Sequence, residues 1–288
     1  MKLFRLLPFA VVAYLLFWSS STTLTSCTTD ANDTIVIRDT TIIKDTVTIR
    51  DTVTVRDSAC HDEEGLIAYY NFNGGTLKDS SGNGNHIVFN NATPTTDRFG
   101  RANNAYLFNG SSSYMRVTQN AGLNPANITI MAIIKVNGFY PGLCHGNDIV
   151  TKGFDRSDGF YCLRFSDNAD CYAPADTNIH IFYGAYGDKI FTPTGSSAVG
   201  DSSFVRTGQW YTVIYTYDGV DSKLYINGAL KKTFRRTAVF TPNNADVYIG
   251  RSENSQYPFW FNGVIDEVRI YNRAVSASEV SRLSTLQN

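Results

Sequence analysis

From Gly65 onward the chain alternates short apolar or aromatic runs with clusters of Gly, Asn, Asp and Pro. Runs at Leu66–Phe72, Ala105–Phe108, Ile128–Val136, Gly159–Phe165, Ile179–Tyr183, Trp210–Tyr217, Lys223–Ile226, Asp246–Ile249 and Phe261–Tyr271 have the length and side-chain character of strands. Many short strands separated by turn residues predict an all-β sandwich or barrel. One helix is predicted, at the C-terminal end. There Ser276-Ala277-Ser278-Glu279 reads as a capping box ahead of Val280, Leu283 and Leu286, which share a face.

A different pattern comes before this. Residues 33–57 repeat every six positions as Asp-Thr followed by β-branched residues and then Arg or Lys, from Asp33 through Asp39, Asp45 and Asp51 to Asp57. Six is not a heptad, so a coiled coil is disfavoured. It is a multiple of two, so an extended chain keeps a constant face, and β-branching favours extension. The segment is predicted to be a stalk reaching at most about 85 Å when fully extended. Pairing of stalks from several chains into a β fibre is a second reading.

At the N-terminus, Lys2 and Arg5 precede an apolar run from Leu6 to Trp18, too short for an ordinary spanning helix. Leu24-Thr25-Ser26-Cys27 resembles the lipobox of bacterial lipoproteins, which implies acylation of Cys27 as the first mature residue. A plain secretory signal is the alternative. The expected organisation is a signal peptide over 1–26, a stalk over 27–62 and one domain over 63–288. Thr28, rather than Asp, follows Cys27, which points to the outer membrane or cell surface with the lipid as the membrane contact.

Removing Lys2 and Arg5 lowers the basic count from 25 to 23 against 26 acidic residues, a net charge of −3. That leaves no electrostatic footprint for nucleic acid. In an oxidising compartment the remaining Cys60, Cys144, Cys162 and Cys171 read as disulfide formers, since their spacing fits no zinc pattern. Cys144–Cys171 is the expected pair, because both lie in loop-like segments. Cys162 sits in a strand pattern, as a buried thiol or a partner of Cys60, and Cys162–Cys171 is the rival pairing.

Five blocks carry a resemblance: Gly65–Phe72, Asp79–His86, Trp210–Gly219, Lys223–Gly228 and Phe261–Arg273. In this order they resemble the laminin-G-like, concanavalin A-like lectin/glucanase domains. The resemblance implies a two-sheet antiparallel jelly-roll sandwich, often containing calcium, that binds carbohydrate or protein.

The loop Asp79-Ser80-Ser81-Gly82-Asn83-Gly84-Asn85 alternates oxygen-bearing side chains with glycines, as a Ca²⁺ site requires. By the resemblance, Asp266 lies near it. The expected ligands are Asp79, Asn83, Asn85, a carbonyl near His86, and Asp266; a simple turn is the rival reading. Catalysis is not expected. The Glu-x-Asp-x-x-Glu strand of the related glucanases is missing, and Asp266 and Glu267, adjacent on a strand, face opposite sides, leaving no carboxylate pair for glycoside hydrolysis. Gly110-Ser111-Ser112-Ser113 lacks the pattern of a nucleophile elbow.

Sugars stack on exposed rings while loop amides read their hydroxyls. Candidate binding residues are Tyr140, Tyr172, Tyr186, Gln256, Tyr257 and Phe259, with the stretch Ser255–Trp260 the most suggestive. Trp210, at the start of a strand, is expected in the core, and Trp260 is left open. The expected function is a lipid-anchored, non-enzymatic module binding glycan. Its rival is adhesion to an extracellular protein, and a glycoside hydrolase stands third.

Overall fold

The computed structural model describes residues 34–43, 46–56 and 62–285, apart from 155–157, 168–170, 177–179, 187–204 and 236–239; for 34–56 only the backbone is described. Cys27 and Cys60 lie outside the described residues. The chain forms two compact units, divided between Cys60 and His61.

In the first unit, β1 (Thr34–Ile43) and β2 (Thr46–Arg56) pair antiparallel, from Thr34 opposite Arg56 to Ile43 opposite Thr46. The strand character expected of the six-residue repeat is present, but a single through-going extension is not. A lone strand leaves its amides and carbonyls to water, whereas folding back lets one half of the repeat satisfy the other.

The second unit is a sandwich of two antiparallel sheets. The larger contains β3 (Leu66–Tyr70), β5 (Thr93–Thr95), β6 (Ala105–Asn109), β8 (Ile128–Gly138), β12 (Trp210–Tyr217), β13 (Asp221–Ile226), β14 (Ala229–Arg235) and β16 (Asn262–Tyr271). The smaller runs β11-β10-β9-β15-β7-β4. Its members are β4 (Ile87–Asn90), β7 (Met115–Val117), β9 (Asn147–Lys152), β10 (Tyr161–Ser166), β11 (Ile181–Tyr186) and β15 (Val247–Ile249).

Period-two alternation decides where the core sits. On β8, Ile130, Ala132, Ile134 and Val136 point between the sheets. Met131 and Ile133 point the other way, into a second cluster with Ile214, Tyr225 and Tyr271. That outer cluster is closed by α1 (Ala277–Thr285) through Val280 and Leu283. The helix starts as its capping box dictates: Ser276 N–H donates to Glu279 Oε2 at 2.7 Å, and Glu279 N–H donates to Ser276 Oγ at 3.3 Å.

The domain begins slightly earlier than the sequence suggests. Asp62, expected in the stalk, accepts a 2.7 Å charged hydrogen bond from Arg282 on α1. The Cys144–Cys171 disulfide is formed, and Cys162 is buried on β10.

Candidate functional site

The outer face of the six-stranded sheet carries the rings. Along its strands the core residues Met115, Val117, Val247 and Ile249 alternate with outward residues. Tyr114, Arg116 and Tyr248 therefore point away from the core. Phe89 on β4 pairs with Arg116 and is more than a third exposed, and its ring stacks on Tyr114 with centroids 4.6 Å apart. Tyr114 lies 6.0 Å from Tyr248 and 6.2 Å from Trp260. Arg251 sits at the centre, its guanidinium carbon 5.1, 5.7 and 4.7 Å from the rings of Tyr114, Tyr248 and Trp260.

Local backbone chemistry assembles this cluster. Gly250 has φ +87°, and a Cβ there would lie 2.3 Å from the ring of Phe108, so only glycine makes the turn that leads from β15 to Arg251. The loop is then closed twice: Phe261 N–H donates to Gly250 O at 3.0 Å, and Ser252 N–H donates to Pro258 O at 2.8 Å. Asn254 Oδ1 accepts from Gln256 N and Tyr257 N, tightening the tip. These bonds bring Trp260 back beside Arg251.

The Arg116–Asp246 ion pair borders the rings, while Lys152 is fully buried on the core side of β9. Arg116 meets Asp246 at 3.0 Å, and Asp246 also accepts from Gln119 N. Glu253 is half-buried; desolvation raises its carboxyl above the usual range, opposed by the Lys152 ammonium. Desolvation in turn lowers Lys152 to about 8, opposed by Glu253 and Asp246.

Of the rings expected from sequence, Tyr172 is the most open, 80% exposed beside the disulfide, and Tyr140 is half-buried. Gln256 is exposed at the loop tip, and Tyr257 is half-buried against Phe154 at 5.8 Å. Two residues are core instead. Tyr186 stacks between Tyr217 (4.8 Å) and Phe240 (5.1 Å), and its hydroxyl donates to Pro125 O, because it lies on the inward side of β11. Phe259 is buried over the guanidinium of Arg164 at 4.9 Å, in the space left by Gly146. Phe89, Tyr114, Tyr248 and Arg251 were not singled out in the sequence. The signal available was their outward position beside core residues on short strands. Trp210 is half-buried at the edge of the α1 cluster, with Lys135 Nζ 5.3 Å from its ring.

The donor set proposed for calcium does not fit the ion in this arrangement. Asp79 Oδ1 accepts from Tyr69 N and Ser81 N, and Oδ2 accepts from Ser81 Oγ and Asn85 N, all at 2.8–2.9 Å. The lone pairs of a carboxylate number about four, so all are used. Asn83 and Asn85 donate to the carbonyls of Leu66 and Ile67, Asn85 Oδ1 accepts from Asn120, and His86 Nδ1 accepts from Asp79 N. Asp266 is held by Arg98 at 2.5 Å. Among the described residues no three His, Cys, Asp or Glu side chains converge.

The acidic groups on the sheets are likewise engaged. Asp148 meets Arg164 at 2.6 Å, and Glu267 meets Arg269 at 2.6 Å. Asp97, near Asp266, accepts from Phe99 N, Arg101 N and Arg101 Nε in its own turn.

Many solved structures share this fold, among them the following three. Domain 4 of AbnA, a GH43 extracellular arabinanase from Geobacillus stearothermophilus in complex with arabinotriose, matches with a TM-score of 0.54 and 22% identity, over 76% of this chain and 98% of that one. The binding domain of botulinum neurotoxin DC in complex with SialylT matches with a TM-score of 0.50 and 15% identity, over 77% of this chain and 51% of that one. A structure from work on the dependence of botulinum neurotoxin type C cell entry on two ganglioside molecules matches with a TM-score of 0.51 and 16% identity, over 80% and 53%. The chain thus spans about half the length of the toxin chains. At these identities the likeness establishes the fold. Residues 108–281 match the family itself, and the chain belongs to the Concanavalin A-like lectin/glucanases superfamily.

Proposed function

We propose that the domain is a non-enzymatic carbohydrate-binding module whose contact surface is the Phe89, Tyr114, Tyr248 and Trp260 cluster around Arg251. The observation that carries this reading is the outward presentation of four rings, gathered from four separate segments, beside charged groups that can read hydroxyls. Aromatic side chains offer apolar faces for the C–H faces of a sugar, and polar neighbours fix its orientation. Similar folds solved with arabinotriose and with SialylT support the same ligand class. Against hydrolysis stands the engagement of Asp148, Asp266 and Glu267 by arginines, which occupies these three carboxylates. The Leu24–Cys27 signature supports display by a lipid anchor at the outer membrane or cell surface. Fatty-acid label should enter the wild type and not Cys27→Ala; equal labelling contradicts the anchor.

The binding test is an oligosaccharide array probed with the full chain and with Tyr114→Ala and Trp260→Ala. The wild type should bind a subset of glycans. Each variant should lose about fivefold or more, the equivalent of ~1 kcal/mol of ring contact. Wild type that binds no glycan, or variants that bind unchanged, would overturn the proposal; the first result would leave protein adhesion as the reading.

A further inference from the structure

We infer that Arg251 makes this surface selective for carboxylated saccharides, an inference that rests on the aromatic cluster being the glycan site. Seven of the described arginines, from Arg98 to Arg282, lie within 3.0 Å of a carboxylate. Arg251 does not. Its hydrogen bonds end on backbone carbonyls, Nε on Ser252 O and Nη2 on Glu253 O, and no carboxylate pairs with it among the described residues.

The nearby acids do not meet it through their carboxylates. Asp246 is taken by Arg116 and Gln119 N, and Glu253 meets Arg251 through its backbone carbonyl. Arg251 therefore places an unneutralised guanidinium among three rings, half-exposed, on the face where a sugar would stack. The rings and the two backbone carbonyls hold the fork in place, so little freedom remains to be lost when it meets a ligand. A guanidinium matches a carboxylate through two parallel hydrogen bonds, which a neutral hydroxymethyl group cannot accept in that form. The chemistry recognised is a saccharide carboxylate, from a uronate or from a sialic acid.

Matched pairs test this with the full chain by calorimetry. One pair is an oligogalacturonate and its methyl ester, and the other is a sialylated glycan and its asialo counterpart. The variants are Arg251→Gln and Arg251→Lys. The wild type should prefer the acid about tenfold in at least one pair, and the responding pair identifies the source of the carboxylate. Arg251→Gln should lose the preference, its ratio of acid to neutral affinity falling to about one whatever its overall affinity. Arg251→Lys should keep a weaker preference, since the charge stays and the fork is lost.

Equal wild-type affinity within both pairs, or a preference that persists in Arg251→Gln, overturns the inference while leaving the glycan site standing. If Arg251→Gln loses both forms, Arg251→Lys decides. A retained acid preference supports the inference, and its absence reduces Arg251 to a prop for the rings. No binding to any member of either pair overturns the inference, and with an array blank for all glycans the glycan reading falls too.

Discussion

Asp79 illustrates how one pattern of residues can serve two chemistries. Alternating Asp, Ser, Asn and Gly supply oxygens for a cation, and they supply equally well the acceptors and φ > 0 positions of a tight turn. The folded chain uses them for the turn, with two amides, a hydroxyl and a further amide filling the carboxylate. Replacing Asp79 with Ala leaves those buried donors unmade, so denaturant titration should show a loss of about 2–4 kcal/mol. The midpoint of thermal unfolding should be the same in calcium as in chelator; a rise of several degrees in calcium that Asp79→Ala abolishes would reinstate the ion. The same ambiguity affected the rings. Tyr186 and Phe259 look like loop aromatics in sequence, and only the partners brought from elsewhere, Tyr217, Phe240 and Arg164, make them core.

Among the elements, those with strong local signals were legible and those without were not. The capping box fixed the start of α1, and the apolar runs fixed β8, β12 and β16. β9, Asn147–Lys152, gives no such signal, because its polar residues are buried against partners distant in sequence, such as Arg164 for Asp148 and Asn243 for Lys152. Two elements carry predictions. Burial pushes the Glu279 carboxyl up, but hydrogen bonds from Arg273 and from Ser276 dominate and hold it at about 2. A depressed carboxylate contributes stability that is present above its unfolded value of about 4.5 and is lost as pH falls toward 2. Unfolding free energy measured across that window should therefore fall with acid, and Glu279→Gln should flatten the fall. An identical slope in the variant would show that Glu279 does not carry it. The disulfide clamps residues 27 apart. Replacing both Cys144 and Cys171 with Ala restores chain entropy worth about 3–4 kcal/mol to the unfolded state. Scanning calorimetry should register a midpoint lower by roughly 6–16 °C; an unchanged midpoint would mean the clamp constrains little.

For the whole molecule, the two outer faces of the sandwich have different fates. The eight-stranded sheet hides part of its outer face under α1, while the six-stranded sheet offers rings and Arg251 to solvent. The all-β fold could be read from local periodicity. The site could not, since Phe89, Tyr114, Tyr248, Arg251 and Trp260 become neighbours only when β4, β7, β15 and the loop after it come together. Trp260 offers a direct view of that site, because Trp210 lies instead at the edge of the α1 cluster. The decisive measurement is tryptophan emission of the full chain during titration with an array-selected glycan. A saturable change is expected in the wild type and in Trp210→Phe, and it should disappear in Trp260→Phe. A change that survives in Trp260→Phe and vanishes in Trp210→Phe, or wild-type emission indifferent to saturating glycan, would contradict the proposed site.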